Sequence, residues 1–280
     1  MGRRPAAKVR RLAAADAEFQ ILESLLTNRA KRHRHRRFVV QGVRPVTAAV
    51  SRDWPAETVV VASGRRLSQW ADGVVEKLAG VDRLEVPEPL FARLAQKDDP
   101  GEVLLVCSIP DRSLAGVTLH GSSVVVVLDR PARPGNLGAV VRSSDALGAD
   151  AVVVTGHAAD PYDPAAVRAS TGSLFAVPVV AAPGFDDVRT WLAGGDVPVR
   201  LVAADEGGDA LDGVDLRPPV ALVLGSEGRG LTRAAREACD VVAAIPMRGG
   251  ASSLNLATAA TVLLYEVDRR RRLAGSGAPA

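Results

Sequence analysis

Three glycine-rich segments in the second half of the 280-residue chain contain asparagine, glutamate, arginine and serine side chains that could do chemistry. Glycine lets a ligand approach the backbone closely. Each segment alone also has a structural explanation, since Asn and Ser cap helices and Gly shapes turns. The segments are Asn136-x-Gly138-x-x-x-Arg142, Gly225-Ser-Glu227-Gly228, and Ile245-Pro-Met247 followed by Ser253-Leu254-Asn255.

Several better-known site patterns are absent from the sequence. The segment that begins at Gly225 lacks the Gly-Lys-Ser/Thr of a phosphate-binding loop, and the glycines at 228 and 230 lack the third glycine of a dinucleotide site. Ser226 does not lie in the Gly-x-Ser-x-Gly pattern of a hydrolase nucleophile. The four histidines have no metal-ligand spacing with acids or cysteines, so we expect no metal site. A nicotinamide-dependent oxidoreductase is therefore a distant alternative.

The three segments belong to a regular alternation of short β-branched strands and helices. Strands that are apolar on both faces, with helices between them, indicate a parallel sheet covered on both sides. Such a sheet binds ligands in the loops at the carboxyl ends of its strands, where the three segments lie. The predicted strands are Val124–Leu128, Ala151–Thr155, Val177–Val180, Val199–Ala203, Val220–Leu224 and Val241–Ile245. The predicted helices are Leu137–Leu147, Pro164–Ser170, Phe185–Leu192, Leu231–Ala238 and a final helix from near Leu254 to Arg271.

A separate α/β unit is predicted ahead of this sheet. It begins with helical periodicity at 16–27, and its strand candidates are Phe38–Gln41, Thr58–Ala62, Arg83–Val86 and Val103–Ile109. Turn-forming residues after position 110 mark a linker. We predict a basic tail at 1–15, a substrate-binding domain at 16–112, a linker at 113–121, a catalytic domain at 122–272 and a tail at 273–280.

The charge of the chain is unevenly distributed, although its net charge is only +3. Residues 1–37 contain eleven Lys and Arg against three acids, so the remainder is mildly acidic. A basic end on an acidic body is typical of a polyanion-binding module joined to another domain. No apolar stretch approaches the roughly eighteen residues of a membrane span, and the chain start lacks the apolar core of a signal peptide. We therefore expect a cytoplasmic protein without a membrane partner.

Taken together and in this order, the three segments resemble the signature motifs of the SpoU/TrmH branch of the SPOUT RNA methyltransferases. The stretch from Asn28 to Lys31, followed by Phe38-Val-Val-Gln41-Gly42, resembles the small substrate-binding domain of that branch. Gln41 departs from the pattern, since many members have Glu there. The resemblance covers nearly the whole chain after the first residues. It is strongest to antibiotic-producer rRNA methyltransferases of the avilamycin- and thiostrepton-resistance type.

The resemblance implies an α/β fold in which a C-terminal parallel-sheet domain carries a trefoil knot and a smaller N-terminal α/β domain binds RNA. It implies S-adenosyl-L-methionine (SAM) as methyl donor, held mostly by backbone groups. It also implies a homodimer, with the final helix at the interface and the site completed by the second subunit. Small residues suit backbone recognition because larger side chains would block the approach. The expected cofactor-binding residues are Thr155, Gly156, Leu224, Gly225, Gly228, Ile245, Met247, Ser253 and Leu254.

The implied reaction is methylation of a ribose 2′-hydroxyl in RNA, first of all in 23S rRNA, with antibiotic resistance as one role. Arg142 would clamp the target phosphate and steady developing charge on the oxygen, because an arginine is always protonated and makes a poor base. Glu227 and Asn255 would hold Arg142 or the ribose, and Asn136 would shape the same pocket. A tRNA ribose methyltransferase of the same branch and a catalytically silent RNA-binding or assembly factor stay open as alternatives.

RNA contacts are predicted mainly in the basic stretch Arg29–Arg37, which has six Lys and Arg and no acid. Phosphate charge attracts such a stretch, and a solvated loop without a partner is the alternative. The expected RNA-binding residues are Lys31, Arg32, Arg34, Arg36, Arg37 and Arg168, and an ordinary position on the helix surface is an equal alternative for Arg168.

Overall fold

In the computed structural model, residues 7–96 and 101–275 are described, and they divide into two compact units. The N-terminal unit contains the chain up to Asp111 together with Tyr162–Phe175. The C-terminal unit contains Arg112–Pro161 and the chain from Ala176 onward. The two predicted tails therefore lie partly outside the described residues, at positions 1–6 and 276–280.

The N-terminal unit is built on a mixed sheet of five strands. They are β1 (Val9–Arg11), β2 (Arg37–Gln41), β3 (Ala56–Ala62), β4 (Asp82–Val86) and β5 (Val103–Ser108). Their order across the sheet is β1-β4-β3-β5-β2. Strand β5 runs antiparallel to β2 and β3, whereas β1, β4 and β3 are parallel to one another. The four strands predicted in this part of the chain are confirmed.

Strand β1 was not predicted, and it corrects the assignment of positions 1–15 as a tail. Val9–Arg11 pair in parallel with Arg83–Glu85 of β4. The guanidinium of Arg10 pairs with Glu18 at 2.6 Å, and that of Arg11 pairs with Glu85 at 2.7 Å. Three residues are too few to show a strand period in the sequence, so the edge strand is invisible until its partner is known.

Five helices accompany this sheet. They are α1 (Ala17–Thr27), α2 (Arg29–His35), α3 (Val43–Ser51), α4 (Gln69–Lys77) and α5 (Glu88–Ala95). Helix α1 begins after Asp16, whose carboxylate accepts a hydrogen bond from Phe19 N at 2.9 Å. It buries the apolar face that the helical spacing predicted, including Phe19 and Leu25. Helix α2 was not predicted: Asn28 caps it, and the basic stretch is helical rather than a loop.

The C-terminal unit is built on six parallel strands, as predicted. They are β6 (Val124–Asp129), β7 (Ala151–Thr155), β8 (Val179–Ala182), β9 (Arg200–Ala210), β10 (Val220–Leu224) and β11 (Val241–Ala244). The order across the sheet is β11-β9-β10-β6-β7-β8, and every pairing is parallel. Strands β6, β7 and β10 are buried along their whole length, which explains their continuous Val and Leu runs.

The helices of the second half are α6 (Pro134–Ala146), α7 (Pro164–Ser170), α8 (Phe185–Ala193), α9 (Arg233–Glu237) and α10 (Leu256–Gly275). Two of them begin later than predicted because a polar side chain caps each one. The hydroxyl of Thr232 accepts from Ala235 N at 3.2 Å ahead of α9. The amide oxygen of Asn255 accepts from Ala257 N at 2.9 Å at the start of α10.

One segment leaves the C-terminal unit between β7 and β8 and packs in the N-terminal unit. This segment is Tyr162–Phe175 and contains α7, which contacts β2 and α3. The ring of Tyr162 lies 4.8 Å from that of Phe38, and the ring of Phe175 lies 5.0 Å from that of Trp54. All four rings are buried, so the segment completes an aromatic core that the N-terminal sequence begins.

Candidate active site

Strands β10, β6 and β7 lie side by side in the C-terminal sheet, so the loops that follow them meet at one edge. This edge is where open parallel sheets bind their ligands. The loop after β6 leads to Asn136, the loop after β10 carries Gly225 and Glu227, and β7 ends at Thr155. Strand β11 lies at the far side of β9, and the chain returns from it to Asn255 at the start of α10.

A chain of hydrogen bonds joins three of the predicted site residues. The Nδ2 atom of Asn136 donates to Glu227 Oε1 at 2.7 Å. The Nδ2 atom of Asn255 donates to Asn136 Oδ1 at 3.2 Å. The second carboxylate oxygen of Glu227, Oε2, accepts from Ala132 N at 3.0 Å. The Asn136–Glu227 and Asn136–Asn255 bonds span 91 and 119 positions of sequence. Residues from all three glycine-rich segments therefore share one polar cluster.

The cluster favours the ionised form of Glu227. Partial burial pushes the pKa of Glu227 upward, but hydrogen bonds from Ala132 N and the Asn136 side chain, with further backbone donors, bring that pKa below its ordinary value. At neutral pH the residue is a carboxylate with both oxygens engaged. Glu227 therefore links the loop after β6 to Asn136 through its two carboxylate oxygens.

Arg142 stands apart from this cluster. It lies on α6, its side chain is exposed, and it makes no hydrogen bond or ion pair with the part of the chain that the structure describes. A residue six positions after Asn136 emerges about 120° around the helix from it. Glu227 and Asn255 do not hydrogen-bond Arg142 here, since their bonds go to Asn136, Ala132 and Ala257. That they hold the ribose, the other half of the expectation, stays a prediction.

The loop after β10 is tightly folded on itself. Ser226 and Gly230 exchange two backbone hydrogen bonds, of 3.1 and 2.9 Å. A Cβ atom on Gly225 would lie 2.0 Å from the carbonyl carbon of Gly230 and 2.1 Å from Leu231 N. Glycine at 225 is thus required by the loop itself, before any ligand is considered. Gly228 at the tip is exposed, and a Cβ there would have no atom within 4 Å.

Thr155 and Gly156 end β7 beside the same edge. Thr155 is 1 % exposed, and its hydroxyl donates to Asp129 Oδ1 at 3.0 Å, so this side chain is engaged within the protein. Gly156 has φ +62, which a glycine adopts without strain. Asp129 had no predicted role. The sequence signal that could have revealed it is an aspartate at the end of an otherwise apolar strand, because such an acid needs a hydrogen-bond partner inside the protein.

The loop after β11 presents apolar side chains to solvent. Met247 is 40 % exposed, whereas Ile245 and Leu254 are half-buried and Ser253 is exposed. Leu224, the last residue of β10, is 2 % exposed. Met247 is among the few large apolar side chains in the described residues that stand this far out, although one exposed side chain does not by itself define a site.

The basic stretch in the N-terminal unit contains residues of two kinds. Lys31 and Arg34 are exposed on α2 and make no ion pair within the described residues. Arg36 donates to Ile109 O at 3.2 Å, and Arg37 pairs with Glu57 at 2.5 Å. Arg32 is 2 % exposed and donates to Leu25 O at 2.9 Å and to Asp163 at 3.1 Å. Its assignment as an RNA contact is therefore wrong, because the Arg32 guanidinium is buried and hydrogen-bonded inside the unit.

Arg168 also has a partner in the N-terminal unit. The side chain of Gln41 is 4 % exposed, and in the amide orientation that satisfies both ends it accepts from Arg168 at 2.6 Å and donates to Ala95 O at 2.6 Å. A neutral amide at this position leaves the positive charge of Arg168 uncompensated by Gln41. Arg168 remains half-buried, with part of its surface available.

A parallel sheet whose carboxyl edge carries a polar cluster and glycine loops is the architecture of an α/β enzyme. Comparison with known families identifies which one. Residues 123–265 match the model of the SpoU rRNA methylase family, and residues 16–106 match the SpoU L30e-like domain. The chain belongs to the SpoU rRNA methylase family, as its three motifs implied.

Individual relatives support the same assignment over nearly the whole chain. A 23S rRNA (uridine(2479)-2′-O)-methyltransferase from Streptomyces viridochromogenes is 42 % identical over 274 residues, or 96 % of this chain and 94 % of that protein. The structure of the SpoU methyltransferase AviRb from the same species, in complex with AdoMet, has a TM-score of 0.86 at 42 % identity and covers 92 % of this chain and 98 % of the other. An AdoMet-bound rRNA methyltransferase from Sinorhizobium meliloti has a TM-score of 0.83 at 29 % identity and covers 94 % of this chain and 98 % of the other.

Two further kinds of feature are absent from the described residues. No helix in positions 7–96 or 101–275 is both long and apolar enough to cross a membrane. The same residues contain no group of three or more His, Cys, Asp or Glu side chains arranged to hold a metal ion.

Proposed function

We propose that the protein methylates a ribose 2′-hydroxyl in 23S rRNA and uses SAM as methyl donor. The observation that carries this proposal is the Asn136–Glu227–Asn255 cluster at the carboxyl edge of the parallel sheet, in a chain 42 % identical to a 23S rRNA 2′-O-methyltransferase. The reaction needs a bound methyl donor, a bound ribose and a group that steadies charge on the attacking oxygen.

The loops at this edge fit SAM. Gly228, Gly249 and Gly250 have open space where a side chain would lie, so a ligand can reach their backbones. Met247 and Leu254 supply apolar surface. The groups that would hold SAM are the backbones of Leu224–Gly228, Ile245–Met247 and Ser253–Leu254. When bound, SAM supplies an activated methyl group.

Arg142 is proposed to bind the phosphate beside the target ribose. A free, exposed guanidinium can make two parallel hydrogen bonds to a phosphate. In that position it also stabilises negative charge on the 2′-oxygen as its proton leaves to the substrate phosphate or to water. The absence of a partner for Arg142 among the described residues supports this role, since no internal carboxylate competes for the charge.

Asn136 and Asn255 are proposed to orient the ribose. Each amide uses one N–H inside the cluster, which leaves its second N–H for a substrate hydroxyl. Glu227 fixes the rotamer of Asn136 through a bond of 2.7 Å. Because these residues are tied together before substrate arrives, little ordering is needed at the reaction step.

The N-terminal unit is proposed to bind RNA through the exposed side chains of Lys31 and Arg34, with Arg168 as a further contact. Exposed, unpaired cations gain most from phosphate because no internal ion pair has to break. Arg36 and Arg37 are proposed to contribute less, since Ile109 and Glu57 already engage them.

Further elements of the proposal concern assembly and setting. We infer a homodimer through α10, which exposes Tyr265 and Leu273 at 51 % and 59 %. We also infer a trefoil knot, since the chain returns from edge strand β11 to contact Asn136 near β6.

The proposed rRNA substrate implies that the protein acts in the cytoplasm. Resistance to a ribosome-targeting antibiotic is the inferred physiological role.

The decisive experiment supplies the purified protein with SAM and separate samples of 23S rRNA, 16S rRNA and tRNA, and maps ribose methylation on each. Methylation of 23S rRNA at a defined nucleotide is expected. Methylation confined to tRNA would redirect the proposal to the tRNA enzymes of the same branch. SAM binding without methylation of any of these RNAs would contradict the proposed reaction.

A further inference from the structure

The C-terminal unit buries a carboxylate that has no role in the proposed reaction. Asp129, the last residue of β6, is 3 % exposed. Its Oδ1 atom accepts from Thr155 Oγ1 at 3.0 Å and lies 3.4 Å from Arg130 Nε. Its Oδ2 atom accepts from Thr232 N at 2.8 Å. One side chain thus links the ends of β6 and β7 to the residue that follows the loop after β10.

The bond to Thr232 fixes the far end of that loop. Thr232 also caps α9, so its position sets where the loop stops and the helix starts. The near end is fixed by the close approach of Gly225 to Gly230, and the tip by the bond from Ala132 to Glu227. The Asp129 side chain therefore connects Thr232, at the end of the loop after β10, to Thr155, at the end of β7.

Burying a carboxylate is costly, and a well-packed apolar side chain would often be at least as stabilising. A charged acceptor makes stronger and more directional hydrogen bonds than a neutral one. The two hydrogen bonds that Asp129 accepts therefore indicate that it holds other residues in position, rather than only stabilising the fold.

We propose that Asp129 is a positioning residue that holds the Gly225–Thr232 loop and Thr155 in the geometry that receives SAM. This inference rests on the proposed function. Asp129 acts through the loop and does not touch the reacting atoms. Its main effect should be on SAM affinity. Glu227, which holds Asn136, lies in the same loop, but the separate bond from Ala132 N keeps it in place.

The test measures SAM binding by calorimetry, together with KM for SAM and kcat at saturating RNA. The wild type is measured first, and absence of SAM binding there would overturn the proposed function itself. Asp129→Ala should weaken SAM binding and raise KM for SAM by about tenfold or more, the scale of losing buried hydrogen bonds. Its kcat should stay within about threefold of the wild type. Asp129→Asn should keep affinity within about threefold, because its amide oxygen can still accept from Thr232 N.

Asp150 provides a control, because its carboxylate binds the amino end of β6, whereas Asp129 lies at the carboxyl end of that strand. Its carboxylate accepts from Val124 N at 2.7 Å and from His120 at 3.2 Å at the amino end of β6. Asp150→Ala removes a strand-end acceptor at a more exposed position, so thermal stability should fall by less while SAM affinity stays unchanged. Equal weakening of SAM binding in Asp150→Ala and Asp129→Ala would overturn the inference, as would wild-type affinity in Asp129→Ala.

Thr155 keeps the inference testable if Asp129→Ala does not fold. Thr155→Val removes the donor to Asp129 at nearly constant volume, whereas Thr155→Ser retains it. We expect a severalfold loss of SAM affinity in the Val variant and recovery in the Ser variant. Identical affinity in the two variants would contradict the role of the Asp129 hydrogen bond.

Discussion

Arg32 and Asp163 form an ion pair at 3.1 Å across 131 positions of sequence, inside the N-terminal unit. The Arg32 side chain is 2 % exposed and that of Asp163 is 29 % exposed. Asp163 also caps α7 through a bond from Ala165 N at 2.9 Å. The pair therefore joins the basic helix α2 to the segment that arrives from between β7 and β8, and it makes Arg32 a structural residue.

Arg32→Ala should destabilise the fold by about 2–3 kcal/mol, somewhat below the cost of breaking a fully buried pair because Asp163 retains some solvent. Thermal or denaturant unfolding measures the change. Lys31→Ala, at the adjacent exposed position, should leave stability within about 0.5 kcal/mol. Equal stability of the Arg32 and Lys31 variants would show that the pair contributes nothing.

Neutralising Lys31 and Arg34 together should weaken RNA binding and flatten its salt dependence. For single-stranded RNA, the slope of log affinity against log salt should fall by about 0.7 for each phosphate that is no longer neutralised. SAM affinity should not change. Lys77→Ala, which removes one exposed cation at the end of α4, is the control for the loss of a surface charge elsewhere in the unit. A slope as steep as that of the wild type in the double variant would place these side chains in solvent.

Arg142→Ala should reduce turnover by about a hundredfold or more, the scale of losing one preorganised charge donor. Arg142→Lys should also be poorly active, because a point charge does not replace a planar two-pronged donor. Single-turnover rates at saturating RNA measure both, with SAM affinity as the check that the cofactor site is intact. Arg189→Ala on α8 is the control for removal of an exposed arginine. Near-normal rates in the Lys variant would disprove the two-pronged clamp.

The glycines at 225 and 228 should respond differently to an added methyl group. Gly225→Ala places a Cβ about 2 Å from the Gly230–Leu231 backbone, so stability and SAM affinity should both fall. Gly228→Ala meets no protein atom within 4 Å, so stability should hold. If SAM approaches this backbone, Gly228→Ala should lower SAM affinity alone. Calorimetry paired with thermal unfolding separates the two effects, and unchanged SAM affinity in Gly228→Ala would exclude a close approach there.

Glu227 should make a pH-dependent contribution to stability. Its pKa is lowered in the folded protein, so the contribution is fully present above the unfolded value of about 4.3 and is lost as the pH falls through the lower folded value. Glu227→Gln should therefore lower Tm at pH 7, and the difference from the wild type should shrink below about pH 4. Thermal scans across this range test the sign. A difference that grows with acidity would mean that the hydrogen bonds do not favour the carboxylate.

Much of the fold could be predicted from the sequence because the strands are short, apolar and separated by clear turns. Every strand of the C-terminal sheet was expected, and the parallel arrangement followed from strands such as Val124–Asp129 that are apolar on both faces. The segments that hold Asn136, Glu227 and Asn255 could also be placed at one sheet edge. The distances between their side chains could not, because they depend on loop conformation.

The features that escaped prediction depend on tertiary partners. Strand β1 exists because β4 offers an edge, and three residues carry no periodic signal of that. Arg32 resembles its basic neighbours in sequence, and only the packing of α7 shows that it is buried. Asp129 directly follows the predicted strand Val124–Leu128, but its hydrogen bond with Thr232 spans 103 positions. A single sequence shows both residues of such a pair but does not show that they are in contact.

Because Tyr162–Phe175 belongs to the N-terminal unit, that unit is formed from two separate stretches of the chain, and the two units do not simply follow one another in sequence. A cut at Asp111 would release a fragment in which Tyr162 and Phe175 are separated from the rings of Phe38 and Trp54. The other fragment would carry an aromatic core with one wall missing. Neither half is therefore a natural unit for separate expression or for exchange between homologues.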